Sequence, residues 1–246
     1  MKLFGKVLGK NEKVKRSDSI FFNKKGNSLA KESIDRIKDN LLYWAIDGDK
    51  KVVQFESSIS GEAKSTSVVN LAVALGEVGK KVVVLDLDFR RPRVHRAFEF
   101  DVIDGISDYM IEKISYDEMV KVTEYKNVSV ITRGSSVQNP TAIFTSEKFA
   151  MLIKRLREEF DFILVDCPPV LLVSDYIHIA RYADGVLFNV AFASTKKAEV
   201  KEAIGLLKKN NVPIIGAIFT FYNPKKANNY HEYKYHNNYT YDDYDE

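Results

Sequence analysis

Cysteine is almost absent: the 246-residue chain carries one, Cys167, together with four histidines. A single thiol cannot close an internal disulfide, and no Cys/His pair has the spacing of a zinc site. Neither redox chemistry nor a structural metal is indicated. Long apolar runs are missing as well. No stretch approaches the roughly 18–20 uninterrupted apolar residues of a membrane span, and the lysine-rich start MKLFGKVLGKNEKVKR lacks the apolar core of a signal peptide. A cytoplasmic location is therefore expected. An excess of one charge is lacking too, since the net charge is only +3. The two ends nevertheless differ: residues 1–16 hold six Lys/Arg against Glu12, and residues 230–246 hold five Asp/Glu against Lys234. A basic start of this kind is more often merely solvated, and contact with an anionic membrane or acidic partner is the side reading. With no reading helix beside it, it predicts no nucleic-acid binding.

What is present is one domain's worth of core, with 45% hydrophobic residues in a chain of this length. Residues 1–27 are polar and basic without a sustained period and are expected to form a flexible, disordered arm. The domain is expected over 28–221. It opens with a helix near Ser28 in which Leu29, Ile34, Ile37, Leu41 and Leu42 share a face. Short apolar runs then alternate with helical segments: KVVQF, a helix from about Lys64 to Glu77, VVVLDLD, VSVIT, FILVD, VLFNVAF and IIGAIF. This order predicts an α/β fold, a doubly wound, mainly parallel sheet with helices on both faces. In SEKFAMLIKRLREEF the stripe Phe149, Leu152, Ile153, Leu156 predicts an amphipathic cover helix. Residues 222–246 have no aliphatic residue beyond Ala227 and are expected to be disordered in isolation.

The segment FESSISGEAKSTSVVNLA follows a strand and opens a helix, where backbone N–H groups and the positive helix end converge on an anion. Lys64 fits the β/γ oxygens of a nucleotide and Ser65 fits Mg²⁺. The common G-x-x-x-x-G-K pattern would put glycines at 58 and 63, where this chain has Ser58 and Ala63. At the exit of a second strand, Asp86 and Asp88 lie two residues apart and point to one side, with Arg90 and Arg91 beyond. They are placed to hold a divalent ion or to orient an attacking hydroxyl. A third strand, DFILVDCPP, delivers Asp166, a carboxylate suited to an Mg²⁺-bound water. In open parallel sheets ligands bind beyond the carboxyl ends of the strands, so the three strand ends describe one site.

In their order and spacing, GEAKST, VVVLDLDFRRPRVH, GSSVQNPTAI and FDFILVDCPPVLLVSD resemble the bacterial protein tyrosine kinases (BY-kinases) of capsule and exopolysaccharide synthesis, in their single-domain form. The resemblance implies a P-loop NTPase fold related to MinD/ParA ATPases and ATP with Mg²⁺ as cofactors. It implies Lys64, Asp86, Asp88 and Asp166 as catalytic residues, with Ser65, Asp86 and Asp166 on the metal and Asp88 assisting the acceptor tyrosine. Ser60, Gly61, Glu62, Ala63, Lys64, Ser65, Thr66 and Arg90 would line the nucleotide. The cluster Tyr230, Tyr233, Tyr235, Tyr239, Tyr241 and Tyr244 resembles that family's autophosphorylation tail.

The resemblance further implies a membrane adaptor of the polysaccharide co-polymerase type, which would hold the chain at the inner face of the membrane, and a cognate tyrosine phosphatase. It also implies a homo-oligomer, although the family's Glu-x-x-Arg-x-x-Arg motif falls here on Glu32, Asp35 and Lys38. Ile59 stands where MinD/ParA ATPases carry a signature lysine, which disfavours a positioning ATPase. The Ala63 methyl is expected to crowd the approach to the phosphates. Beside an autokinase stands a second reading, a nucleotide-binding regulatory subunit with little catalysis.

Overall fold

Each apolar run singled out in the sequence becomes a strand. The structure, a computed structural model, describes residues 20–22, 28–192 and 194–222. Strands β1 (Val52–Ser57), β2 (Val82–Asp86), β4 (Val128–Ile131), β5 (Phe162–Asp166), β6 (Gly185–Ala191) and β7 (Ile214–Thr220) pair in parallel. A short β3 (Lys121–Val122) pairs antiparallel with β4. Two residues carry no alternation, so β3 had no signal in the sequence. The sheet order is β3-β4-β2-β5-β1-β6-β7.

The helices are α1 (Ser28–Trp44), α2 (Lys64–Glu77), α3 (Val94–Ala97), α4 (Ile106–Met110), α5 (Tyr116–Met119), α6 (Pro140–Phe144), α7 (Glu147–Glu159), α8 (Asp175–Ala180) and α9 (Lys197–Lys209). They lie on both faces of the sheet. Alternation along β2 sends Val82 and Val84 to the core under α1 and α2, and Val83 and Leu85 to the core under α7. Burial on both faces is why these strands read as continuous apolar runs. In α7, Ser146 Oγ accepts from the Phe149 N–H at 3.2 Å and caps the helix, and the predicted stripe Phe149, Leu152, Ile153, Leu156 is buried.

Helix α2 spans the residues expected of it and is almost wholly buried, with Val68, Val69, Leu71, Ala72 and Leu75 inward. It presses closely on the β4 side of the sheet. A Cβ at Gly76 would collide with the Lys126 carbonyl and a Val128 methyl. Asn127 Nδ2 donates to the Gly76 carbonyl at 3.1 Å across the same contact.

Two expectations are corrected. Leu29 does not share the buried face of α1 with Ile34 and Leu41; it is 71% exposed. Within the segment expected to be a flexible arm, Ile20 and Phe22 are buried in the core. The N–H groups of Phe21 and Phe22 donate to Asn70 Oδ1 at 2.8 and 3.0 Å, which ties this stretch to α2. Two bulky side chains on either side of one residue, matched by two backbone bonds, are enough to seat a segment that has no helical or strand period. In α1, Asp35 and Lys38 pair with each other at 2.8 Å, and Arg36 pairs with Glu32.

Candidate active site

Three strand ends and one loop meet at the carboxyl edge of β2, β5 and β1. The ladder between β2 and β5 puts Asp86 opposite Asp166, and β1 carries Phe55 beside Asp166 on the other side. From the end of β1 the chain turns through residues 58–63 into α2. Gly61 takes φ 91°, a conformation glycine adopts freely. Ala63 sits at φ 57° and ψ 27°, left-handed despite its Cβ, and forms the N-terminal boundary of α2. The loop folds because its polar groups are paired inward. Ser57 Oγ donates to the Ile59 carbonyl at 2.8 Å. Glu62, 1% exposed, accepts from the Ile59 N–H at 2.9 Å, from the Ala191 N–H at 3.1 Å and from the Thr195 hydroxyl.

Lys64 is nearly buried, and its Nζ donates to Ser57 Oγ at 2.9 Å. Ser65 Oγ donates to Asp166 Oδ2. Asp86 Oδ2 accepts the N–H groups of Arg93 and Val94, each at 3.1 Å, at the start of α3. Asp88 Oδ1 accepts the N–H groups of Arg90 and Arg91 at 3.2 and 2.9 Å, which fixes its carboxyl at the rim. A cleft of about 70 Å³ lies over these groups, lined by residues 60–66 with Asp88, Arg91, Arg93 and Pro169. Arg90 is turned from this cleft toward Asp175, Nε to Oδ2 3.7 Å. Arg91 and Arg93, not Arg90, are the guanidiniums at the cleft. Their positions in the FRRPR run gave only composition, and the turn held by Asp88 decides which of them faces inward.

Burial pushes the Asp86 carboxyl well above the usual range, reinforced by the neighbouring Asp166 and Asp88 charges. Asp166 is raised by burial as well, although Lys64 and the Ser65 hydroxyl pull it back down. One oxygen of each carboxylate, Asp86 Oδ1 and Asp166 Oδ1, is buried without a hydrogen-bond partner. Two orphaned acidic oxygens on adjacent strand ends, with the Ser65 hydroxyl beside them, fit a small divalent cation. Among the described residues no three His, Cys, Asp or Glu side chains gather into a metal cage. Mg²⁺ binds through one or two carboxylates and completes its shell with water and substrate phosphates, and Asp86 and Asp166 supply two.

Glu56, on β1 just before Ser57, was not singled out from sequence. It is fully buried, hydrogen-bonded by Gln54 Nε2, and burial pushes its pKa to about 8. A glutamate inside a strand that the sequence reads as buried was its only sequence signal. Cys167 is buried and its thiol is pushed up by burial, the environment of an inert packing thiol. Beside the cleft, a groove of about 560 Å³ runs between α1 and the end of β7, with Ala63 and Thr66 at its P-loop end and Phe21, Phe219, Phe221 and Tyr222 along its walls. The six tail tyrosines from Tyr230 to Tyr244 lie outside the described residues.

Residues 50–211 match the AAA domain family. Tyrosine-protein kinase YwqD of Bacillus subtilis is 31% identical over 233 residues, 94% of this chain and 96% of that protein. Putative tyrosine-protein kinase CapB of Staphylococcus aureus is 29% identical over 214 residues, 87% of this chain and 94% of its own. The crystal structure of the chimerical protein CapA2B2 superposes with a TM-score of 0.78 at 28% identity, covering 82% of this chain and 89% of that one. Likeness of this extent, over a P-loop and two acidic strand ends, leads to one conclusion: the chain belongs to the bacterial tyrosine-protein kinase family, built on the AAA domain.

Proposed function

We propose that the chain is an ATP-dependent protein tyrosine autokinase that acts in capsular or exopolysaccharide synthesis and export. The observation that carries this reading is the convergence of Lys64, Ser65, Asp86, Asp88 and Asp166 at one sheet edge, with the orphaned oxygens of Asp86 and Asp166 on residues paired across one ladder step. Mg²⁺ would be held by Ser65, Asp86 and Asp166 and would neutralise charge building on the phosphates. The N–H groups at the start of α2 and the Lys64 ammonium bind the β- and γ-phosphates. The adjoining groove, walled by Phe221 and Tyr222, would take the base and ribose. Arg91 and Arg93 add positive charge at the mouth.

In the transfer, the tyrosine hydroxyl oxygen bonds to the γ-phosphorus as its bond to the β–γ bridging oxygen breaks and ADP departs. The phenolic proton passes to the Asp88 carboxylate. Such a transition state is loose, so positioning and charge stabilisation supply most of the rate. The acceptors are the tail tyrosines. Each phosphate adds roughly −1.5 to −2 charges, so a fully modified tail would be pushed from a neighbour's active site by the phosphates of the bound nucleotide, changing assembly. The chain would work at the inner face of the membrane through a co-polymerase-type adaptor, as a homo-oligomer opposed by a tyrosine phosphatase. In the described residues no helix is long and apolar enough to cross a membrane.

A catalytically weak regulatory subunit is the second reading, favoured by the strained Ala63 in the P-loop. The test is incubation with Mg-ATP, with and without the cytoplasmic segment of a candidate adaptor, followed by mass-spectrometric mapping of phosphotyrosine. The kinase reading expects phosphate between Tyr230 and Tyr244, falling at least about a hundredfold in Lys64→Ala or Asp86→Ala. Nucleotide binding without phosphotyrosine under either condition selects the regulatory reading.

A further inference from the structure

Ala63 occupies a backbone conformation that a residue with a Cβ disfavours, at the point where the phosphate loop becomes α2. Something must hold it there, because a relaxed residue 63 would turn the following N–H groups away from the cleft. The residue on its N-terminal side is held by four hydrogen bonds, three to its carboxylate and one to its carbonyl. Glu62 Oε2 takes the Ile59 N–H within the loop. Glu62 Oε1 takes the Ala191 N–H at the end of β6 and the Thr195 hydroxyl ahead of α9. The Glu62 carbonyl accepts from Thr220 Oγ1 at 3.2 Å, at the end of β7. The carboxylate is buried and shielded by its donors, which weakens its repulsion of an incoming phosphate.

We propose that Glu62 is a positioning residue: its buried clamp to β6 and the Thr195 loop holds Ala63 left-handed and so aims the N–H groups at the start of α2 toward the phosphates. A glycine at 63 would reach the same conformation unaided, so the chain depends on Glu62 because it lacks that glycine. Glu62 touches no reacting atom in this role. It acts through residue 63.

The proposal rests on nucleotide binding at this loop, and the experiment separates the two. Affinity for a fluorescent ADP analogue with Mg²⁺, the KM for ATP, and thermal unfolding are measured for the unaltered chain, Glu62→Ala, Glu62→Gln, Ala63→Gly and the double variant Glu62→Ala/Ala63→Gly. Glu62→Ala is expected to weaken nucleotide binding and raise KM by roughly tenfold, the scale of one unfavourable left-handed residue. Glu62→Gln keeps an acceptor and falls between. In the double variant, glycine restores affinity to within about threefold of the Ala63→Gly protein, while the unfolding temperature lost with the clamp returns only in part. Glu62→Ala binding as tightly as the unaltered chain overturns the proposal, as does a double variant no tighter than Glu62→Ala. If Glu62→Ala does not fold, equal affinity of Glu62→Gln and the unaltered chain overturns it. An unaltered chain that binds no nucleotide sinks the functional reading along with it.

Discussion

At the scale of single residues the site is a compromise between stability and chemistry. Asp86 and Asp166 are buried on paired strand ends, and burial raises both, with the Asp166 and Asp88 charges adding to the rise at Asp86. A carboxyl whose pKa is higher folded than unfolded favours the folded state while protonated, and that contribution is lost as pH rises through the folded value. At neutral pH Asp86 therefore opposes folding in magnesium-free buffer. Asp86→Asn, which can still accept from Arg93 and Val94, is expected to unfold at a higher temperature than the unaltered chain at pH 7. The gap should close as pH falls below about 4, where aspartate is protonated in the unfolded chain too. Thermal unfolding across pH checks this, and a gap constant with pH would contradict it. The same substitution should abolish phosphotyrosine. Lys64, Ser65, Asp86, Asp88 and Asp166 were legible in the sequence because strand exits and a strand-to-helix turn fix where such residues go. The inward turn of Arg91 and Arg93, with Arg90 on Asp175, was not legible, because it depends on which N–H groups Asp88 captures.

At the scale of elements, α2 joins the phosphate loop to the sheet, and its fit on the β4 side depends on the bare backbone of Gly76. Gly76→Ala must displace the Lys126 carbonyl or Val128. Overpacking of this kind is expected to destabilise the protein by about 1–3 kcal/mol, despite the better helix propensity of alanine, and denaturant unfolding measures it. A neutral or stabilising result would mean that the 126–128 segment yields freely. Helix α2 was predictable end to end, since its loop signature marks the start and the apolar run continues to Glu77. The position of Leu29 was not: helical spacing alone includes it in the apolar stripe of α1, but the side chain lines the open groove and stays exposed.

At the scale of the whole molecule, the stretch around Phe22 changes where the folded unit begins. Its side chain is 2% exposed, and its N–H reaches Asn70, one turn beyond Thr66 on the phosphate-loop helix. Phe22→Ala is expected to lower stability by about 3 kcal/mol. A chain starting at residue 23 should be destabilised at least as much. Equal denaturation midpoints for these and the full chain would show that the docking is idle. The parallel sheet and its two covering layers were legible because their apolar runs are long and regularly interrupted. The docking of 20–22 was not, because three residues carry no period and their partner lies 48 positions away.

The pairing of Asp86 with Asp166 also makes strand register a functional quantity. β2 and β5 are apolar on both faces, so a slip of two residues would keep every side chain on its own side and would preserve much of the buried area. It would also carry the two carboxylates roughly 7 Å apart along the strands, at about 3.3 Å per residue, and leave the cation site without one of its walls. The native step is pinned by the Lys81 carbonyl, which receives the Asp161 and Phe162 N–H groups, and by the Leu87 N–H on the Asp166 carbonyl. A refolded sample with full secondary structure and no activity would thus report an alignment error inside the sheet.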